Sequence, residues 1–165
     1  MTIPLAVQFY DVVLWLHITA AVLAFGPTFG YAIIQTVAER TDPRAIPAIM
    51  RGFSTVDRYM VTGGSLVLIA AGLYLTIDAW EFSDAFVSFG IVAILVLLGL
   101  LHGFFLPNER KLAALAERDA AASPAGEVKL SDEYWAASKR VGQIGTLAGI
   151  IIILTLYFMT AKPFL

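Results

Sequence analysis

Within the long apolar stretches of this 165-residue chain the side chains that ordinarily titrate near neutral pH are two imidazoles, His17 and His102. Cysteine is absent, which removes disulfides, thiolate zinc sites, iron–sulfur clusters and covalently attached haem together. Neutral imidazole can do three things in such a setting. It can hydrogen-bond a neighbouring helix as packing glue, ligate a metal such as the iron of haem b, or take part in an ion path or proton relay. All three readings are open for both residues. His17 shares a helical face with Val13, Ala20, Ala21, Ala24 and Thr28, a stripe of mostly small residues expected to face a bundle interior. His102 falls inside a Gly99–Gly103 pair and is expected to face inward as well.

The two histidines sit at different levels. At 1.5 Å per residue His17 lies about 10 Å to one side of the middle of its stretch and His102 about 9 Å to the other side of its own. Axial nitrogens on one iron are only about 4 Å apart, so one iron shared by this pair is disfavoured. Met60 lies near the level of His102 and Met159 near that of His17. Methionine–histidine pairs hold haem iron in some proteins, and methionine is equally an ordinary gap-filler. The candidate cofactor-binding residues are therefore His17, His102, Met60 and Met159.

The positioning elements follow from composition. Hydrophobic residues make up 59% of the chain and charged residues 15%, with mean hydropathy +0.79, whereas soluble domains run near 45–50% and 25%. The excess is gathered into four stretches, about 12–37, 59–77, 85–106 and 141–161, that contain no Lys, Arg, Asp or Glu. Each is long enough to cross a hydrocarbon layer of about 30 Å as a helix, and lipid leaves helix as the available backbone state. The expected fold is an all-α four-helix transmembrane bundle forming a single domain, which excludes a soluble enzyme and a nucleic-acid binder.

Charge sets the orientation. Ten of the eleven basic residues fall in the connections 38–58 and 107–140, and Lys162 is the exception. The positive-inside rule then places both connections in the cytoplasm of a bacterial inner membrane and both termini outside. The chain begins with a long apolar stretch and no basic leader, so that stretch reads as a true span and not a signal peptide.

The connections are patterned too. Ile46, Ile49, Met50, Phe53, Val56 and Met60 recur at helical spacing, as an amphipathic helix on the inner leaflet or an extension of the second span. Residues 108–122 favour helix, continuing the third span, up to the breaker Ser123-Pro124-Ala125-Gly126. Ser131 is placed to cap the last helix, with Asp132 and Glu133 in its first turn. Pro27 should kink the first span. The glycine pairs Gly99/Gly103 and Gly145/Gly149 suit close helix contact, expected within the chain. Arg58, Arg110, Lys111 and Arg140 form a basic rim suited to haem propionates or simply to topology. Asp11, Asp78, Glu81 and Asp84 form an acidic rim at the other end, suited to a hard cation or simply to solvation.

At Trp15-Leu16-His17 followed by Gly26, and at Leu97-Leu98-Gly99-Leu100-Leu101-His102, the chain resembles a bacterial family of predicted integral membrane proteins with a domain of unknown function. More distantly it is similar to HemJ-type protoporphyrinogen oxidases and copper-resistance D membrane modules. His17 and His102 match the histidines of the HemJ pattern, which implies haem association. The lysine of that pattern has no counterpart in residues 89–98, so the resemblance does not extend to protoporphyrinogen oxidation. Three functions remain in view: a b-type haem redox protein, a non-catalytic accessory subunit or homo-oligomer in a membrane complex, and a small permease or metal-handling module.

Overall fold

The structure, a computed structural model, describes residues 8–123 and 127–164, all helices and turns. Residues 124–126 of the expected breaker lie outside them. Four long helical rods carry the apolar stretches, Phe9–Thr41, Pro43–Ala79, Ala85–Ala121 and Asp132–Ala161, each long and apolar enough to cross a membrane.

The first rod is α1 (Phe9–Phe25) followed by α2 (Thr28–Thr41), broken at Gly26-Pro27 as the missing proline N–H requires. The Phe29 N–H turns back to the Gly26 carbonyl at 3.4 Å. The Thr28 hydroxyl then donates to the released Phe25 carbonyl at 2.7 Å. In the second rod a 3-10 turn (Pro43–Ala45) leads to α3 (Ile46–Val56), a π-helical turn (Asp57–Val61) and α4 (Thr62–Ala79). The residues around Met50 thus extend the second span. Ile46, Met50 and Phe53 bury their stripe against protein and not against a membrane surface.

The third rod repeats the pattern: α5 (Ala85–Leu100), a π-helical turn (Leu101–Phe105) and α6 (Leu106–Ala121). Pro107 has no N–H to offer Gly103, and the wider turn absorbs that loss. The Asn108 amide donates to the Phe104 carbonyl at 2.7 Å. In the fourth rod, α7 (Asp132–Ala161), Ser131 accepts the Tyr134 N–H at 3.3 Å as the expected cap.

Along the apolar stretches the rods associate mainly in two pairs, α1 with α4 and α5 with α7, and beyond them α3 packs on α6. Gly64 brings α4 against α1, since a β-carbon there would stand 3.0 Å from Ala24 Cβ. Gly90 receives the Met159 terminal methyl, and Phe89 stacks on Phe158 at 4.4 Å. These contacts, and not the expected glycine pairs, hold α5 to α7. A β-carbon at Gly99, Gly103 or Gly145 would meet nothing within 4 Å. At the acidic end Trp80 donates to the Tyr10 hydroxyl at 3.2 Å, and Lys162 Nζ sits 3.6 Å from the Trp80 ring centre.

The largest core lies at the basic end, beyond the apolar stretches. Ile46, Met50, Leu112, Leu115, Ala116, Leu130 and Tyr134 close it, drawn from α3, α6 and the entry to α7. Glu39 accepts from Tyr134 Oη (2.9 Å), Ser138 Oγ (2.9 Å) and Gln35 Nε2 (2.8 Å), tying α2 to α7. Asp119 accepts the Ser131 N–H at 2.8 Å and pairs with Arg118 at 3.2 Å. Burial would raise Asp119, but these donors outweigh it and hold the carboxyl below its usual range. Leu112 is 0% exposed, so Leu112→Ala should cost about 2–5 kcal/mol in thermal or denaturant unfolding. Leu95, 62% exposed on α5, should tolerate the same change within about 0.5 kcal/mol in the same measurement.

Candidate functional site

His17 is half-buried on the inner face of α1 with Val13, Ala20 and Ala24, as its stripe implied. Its Nδ1 lies 3.0 Å from the Leu68 carbonyl of α4. A carbonyl only accepts, so Nδ1 carries the proton and the neutral ring keeps its lone pair on Nε2. The ring fits because residue 72 is glycine: a β-carbon there would come to 2.9 Å from His17 Cε1.

His102 is disposed differently. It lies on the π-helical turn after α5, which buries Leu101 and turns the imidazole outward, so the expected inward orientation is not observed. Its Nε2 is 3.3 Å from Thr62 Oγ1. The Thr62 hydroxyl already donates to the Asp57 carbonyl at 3.0 Å, so it accepts from Nε2–H. Along α4, Thr62 is six to ten residues from the Leu68 and Gly72 positions that hold His17, about 9–15 Å of rise. The histidines therefore stand at different levels, as counting along the spans indicated.

Met60 lines a groove between α1 and α4 with Leu16, Ala20 and Gly63. Met159 rests on Gly90 of α5, whereas His17 rests on α4. Asp11 and Asp84 are occupied at turns, accepting the backbone N–H of Gln8 and Glu81 at 3.0 Å each. Among the described residues no three His, Asp or Glu side chains gather as a metal site.

A second constellation lies where α3, α6 and the two π-helical turns meet. Asp57 and Glu109, just outside the apolar stretches, are only 3% and 5% exposed. They lie close enough that each influences the other's titration. Tyr31 Oη donates to Asp57 at 2.9 Å and Ser54 Oγ to Glu109 at 2.6 Å. Among the described residues neither carboxyl is within ion-pair distance of a Lys or Arg. Burial raises Glu109 above the usual carboxylate range; the Ser54 hydrogen bond opposes this and the Asp57 charge adds to it. Burial raises Asp57 as well, against the opposing influence of Tyr31, Glu109 and His102. Glu109 also lines a cleft of about 320 Å³ with Arg51, Ser54, Arg58, Tyr59 and Arg110.

With this geometry in hand, residues 11–163 match the family described as predicted integral membrane protein, DUF2269. The chain belongs to that family. No curated protein and no solved structure matches it. The match takes in all four rods and both constellations of this integral membrane protein.

The carboxyl pair was overlooked in the sequence because both residues flank apolar stretches and pass for boundary charges. A signal was present. Asp57 continues the buried stripe Ile46–Met50–Phe53 at helical spacing, and Glu109 starts the stripe Leu112–Ala113–Ala116. Removing the donor to a buried carboxylate leaves it short of a partner. Tyr31→Phe in this DUF2269 member should therefore lower unfolding stability by about 1–3 kcal/mol. Tyr157→Phe, at an exposed tyrosine, should leave the same unfolding curve in place.

Proposed function

We propose that this protein binds haem b and carries electrons in a membrane, and that His17 would hold the iron through Nε2. The observation that supports this reading is the Nδ1–H bond to the Leu68 carbonyl. Such a bond fixes tautomer and ring orientation, raises ligand basicity and leaves Nε2 to the metal. Haem, when bound, supplies reversible one-electron chemistry. The chain's contribution is to anchor the ring and, through Gly72, to leave it room. His102 is set aside as a partner of His17 because it is exposed and stands at a different level, on the π-helical turn after α5. Met60 is set aside because it is eight to twelve residues along its rod from the Leu68 and Gly72 positions that hold His17, about 12–18 Å of rise, and Met159 because it packs on Gly90 of α5.

With none of the other three candidates beside His17, a second protein ligand would come from another chain, in a homo-oligomer or a larger membrane complex. We place the basic end in the cytoplasm of a bacterial inner membrane and both termini outside, on the distribution of Lys and Arg.

Detergent-purified protein from haem-replete cells should show a Soret band and, on reduction, sharp α and β bands. His17→Ala should abolish them and His102→Ala should leave them in place. A colourless wild-type protein, or an unchanged His17→Ala spectrum, would refute the ligand assignment.

A further inference from the structure

We propose that Asp57 and Glu109 together form a proton-binding site at the basic end of the bundle, loaded with one proton from water in the adjoining cleft. Asp57 and Glu109 adjoin: Ser54, one helical turn before Asp57 in the same rod, donates to Glu109 at 2.6 Å. Carboxylates only accept hydrogen bonds, so two that adjoin in a closed interior gain a bond by holding one proton between them. Both groups are buried almost completely, and two buried like charges in contact cannot both ionise near neutrality. A guanidinium or ammonium would relieve that repulsion without a proton, and none of the described residues brings one within ion-pair distance of either carboxyl.

The surroundings divide the roles. Tyr31 from α2 donates to Asp57, and His102 from the turn after α5 lends it favourable electrostatics. These interactions favour the ionised form of Asp57, which holds the negative charge. Glu109 faces it with one hydroxyl donor, Ser54 from α3, and holds the proton, which it donates to the Asp57 carboxylate. Glu109 is also the member of the pair that lines the cleft, where Arg51, Arg58, Tyr59 and its neighbour Arg110 are the other ionisable groups. On deprotonation the Glu109 O–H proton passes to cleft water and two carboxylates remain, facing each other. Those arginines bias that release, since Arg110 favours the ionised Glu109. Asp57 opens one π-helical turn and Glu109 lies about one helical turn past the other, a placement that fits a working site because such turns recur where helices carry function.

The site is independent of haem and is tested on the full-length protein in detergent or lipid nanodiscs. Infrared spectra of wild type at neutral pH should contain a protonated carboxylic acid C=O band that shifts on deuteration and disappears on alkalinisation. Glu109→Gln should remove the band. Asp57→Asn removes the facing charge and offers an amide donor, so it should shift the band and bring its loss to lower pH, while burial still favours the acid form. Thermal unfolding gives a second readout. The folded pair binds a proton that the unfolded chain has already released above about pH 4. Wild-type stability should therefore fall as pH rises from there through the folded pair's titration, and Glu109→Gln should lose that slope. If Glu109→Gln fails to fold, Asp57→Asn decides. A wild-type protein with no protonated carboxyl band at neutral pH, a band retained in folded Glu109→Gln, or a band unmoved in Asp57→Asn would overturn the proposal.

Discussion

Apolar helices in lipid gain nothing by hiding from their solvent, because acyl chains are as apolar as leucine. Everything else in this fold answers to that constraint. Between the apolar stretches the rods touch through small, shaped contacts such as Gly64 against Ala24 and Gly90 under Met159. The hydrophobic effect operates only past the ends of those stretches, and there the chain builds its largest closed core, around Ile46, Met50, Leu112 and Tyr134. The rods are thus clamped at the basic end, where Glu39 ties α2 to α7, and latched more lightly at the other by Trp80 with Tyr10 and Lys162.

A clamp of this kind must let helices change character along their length. The second and third rods are lipid-facing over one half and core-forming over the other, and both carry a π-helical turn at the junction. The extra residue in such a turn resets the helical phase, so the buried stripe of α3 need not continue that of α4. It also brings backbone and side-chain groups of the two rods together. Thr62 spans one turn by donating to Asp57, and His102 on the other turn meets Thr62. The buried carboxyls lie at this junction because it is the first level at which water-derived chemistry and a closed interior coincide.

Span number, the Pro27 break, the extension of the third span and the Ser131 cap were all legible, since each rests on a local rule about chain length, a missing N–H or a hydroxyl acceptor. Tertiary partners were not. Gly99, Gly103 and Gly145 carry the spacing of close helix contact and stand in open space, whereas Gly72, unremarkable in sequence, is the residue that admits His17. The level difference between His17 and His102 could be counted from the rise per residue. The outward turn of His102 could not, because it depends on how Pro107 widens the helix behind it. The carboxyl pair was half legible. Helical spacing puts Asp57 and Glu109 on apolar stripes, but that they face each other is a property of two rods and not of either one.

The two constellations share α4, which raises the question of whether a charge at one would govern the other. His17 is held near positions 68–72 and Asp57 lies about thirteen residues earlier, roughly 20 Å along the axis. Unit charges that far apart interact by about 0.8 kcal/mol at an effective dielectric constant of 20. That is roughly half a pH unit, or a few tens of millivolts for one electron. It is too little for either site to switch the other by charge alone. Tight coupling would need α4 to move, and α4 is pinned to α1 at Gly64 and to the basic core through α3. As built, the fold keeps the two chemistries apart, so each can be tested without disturbing the other.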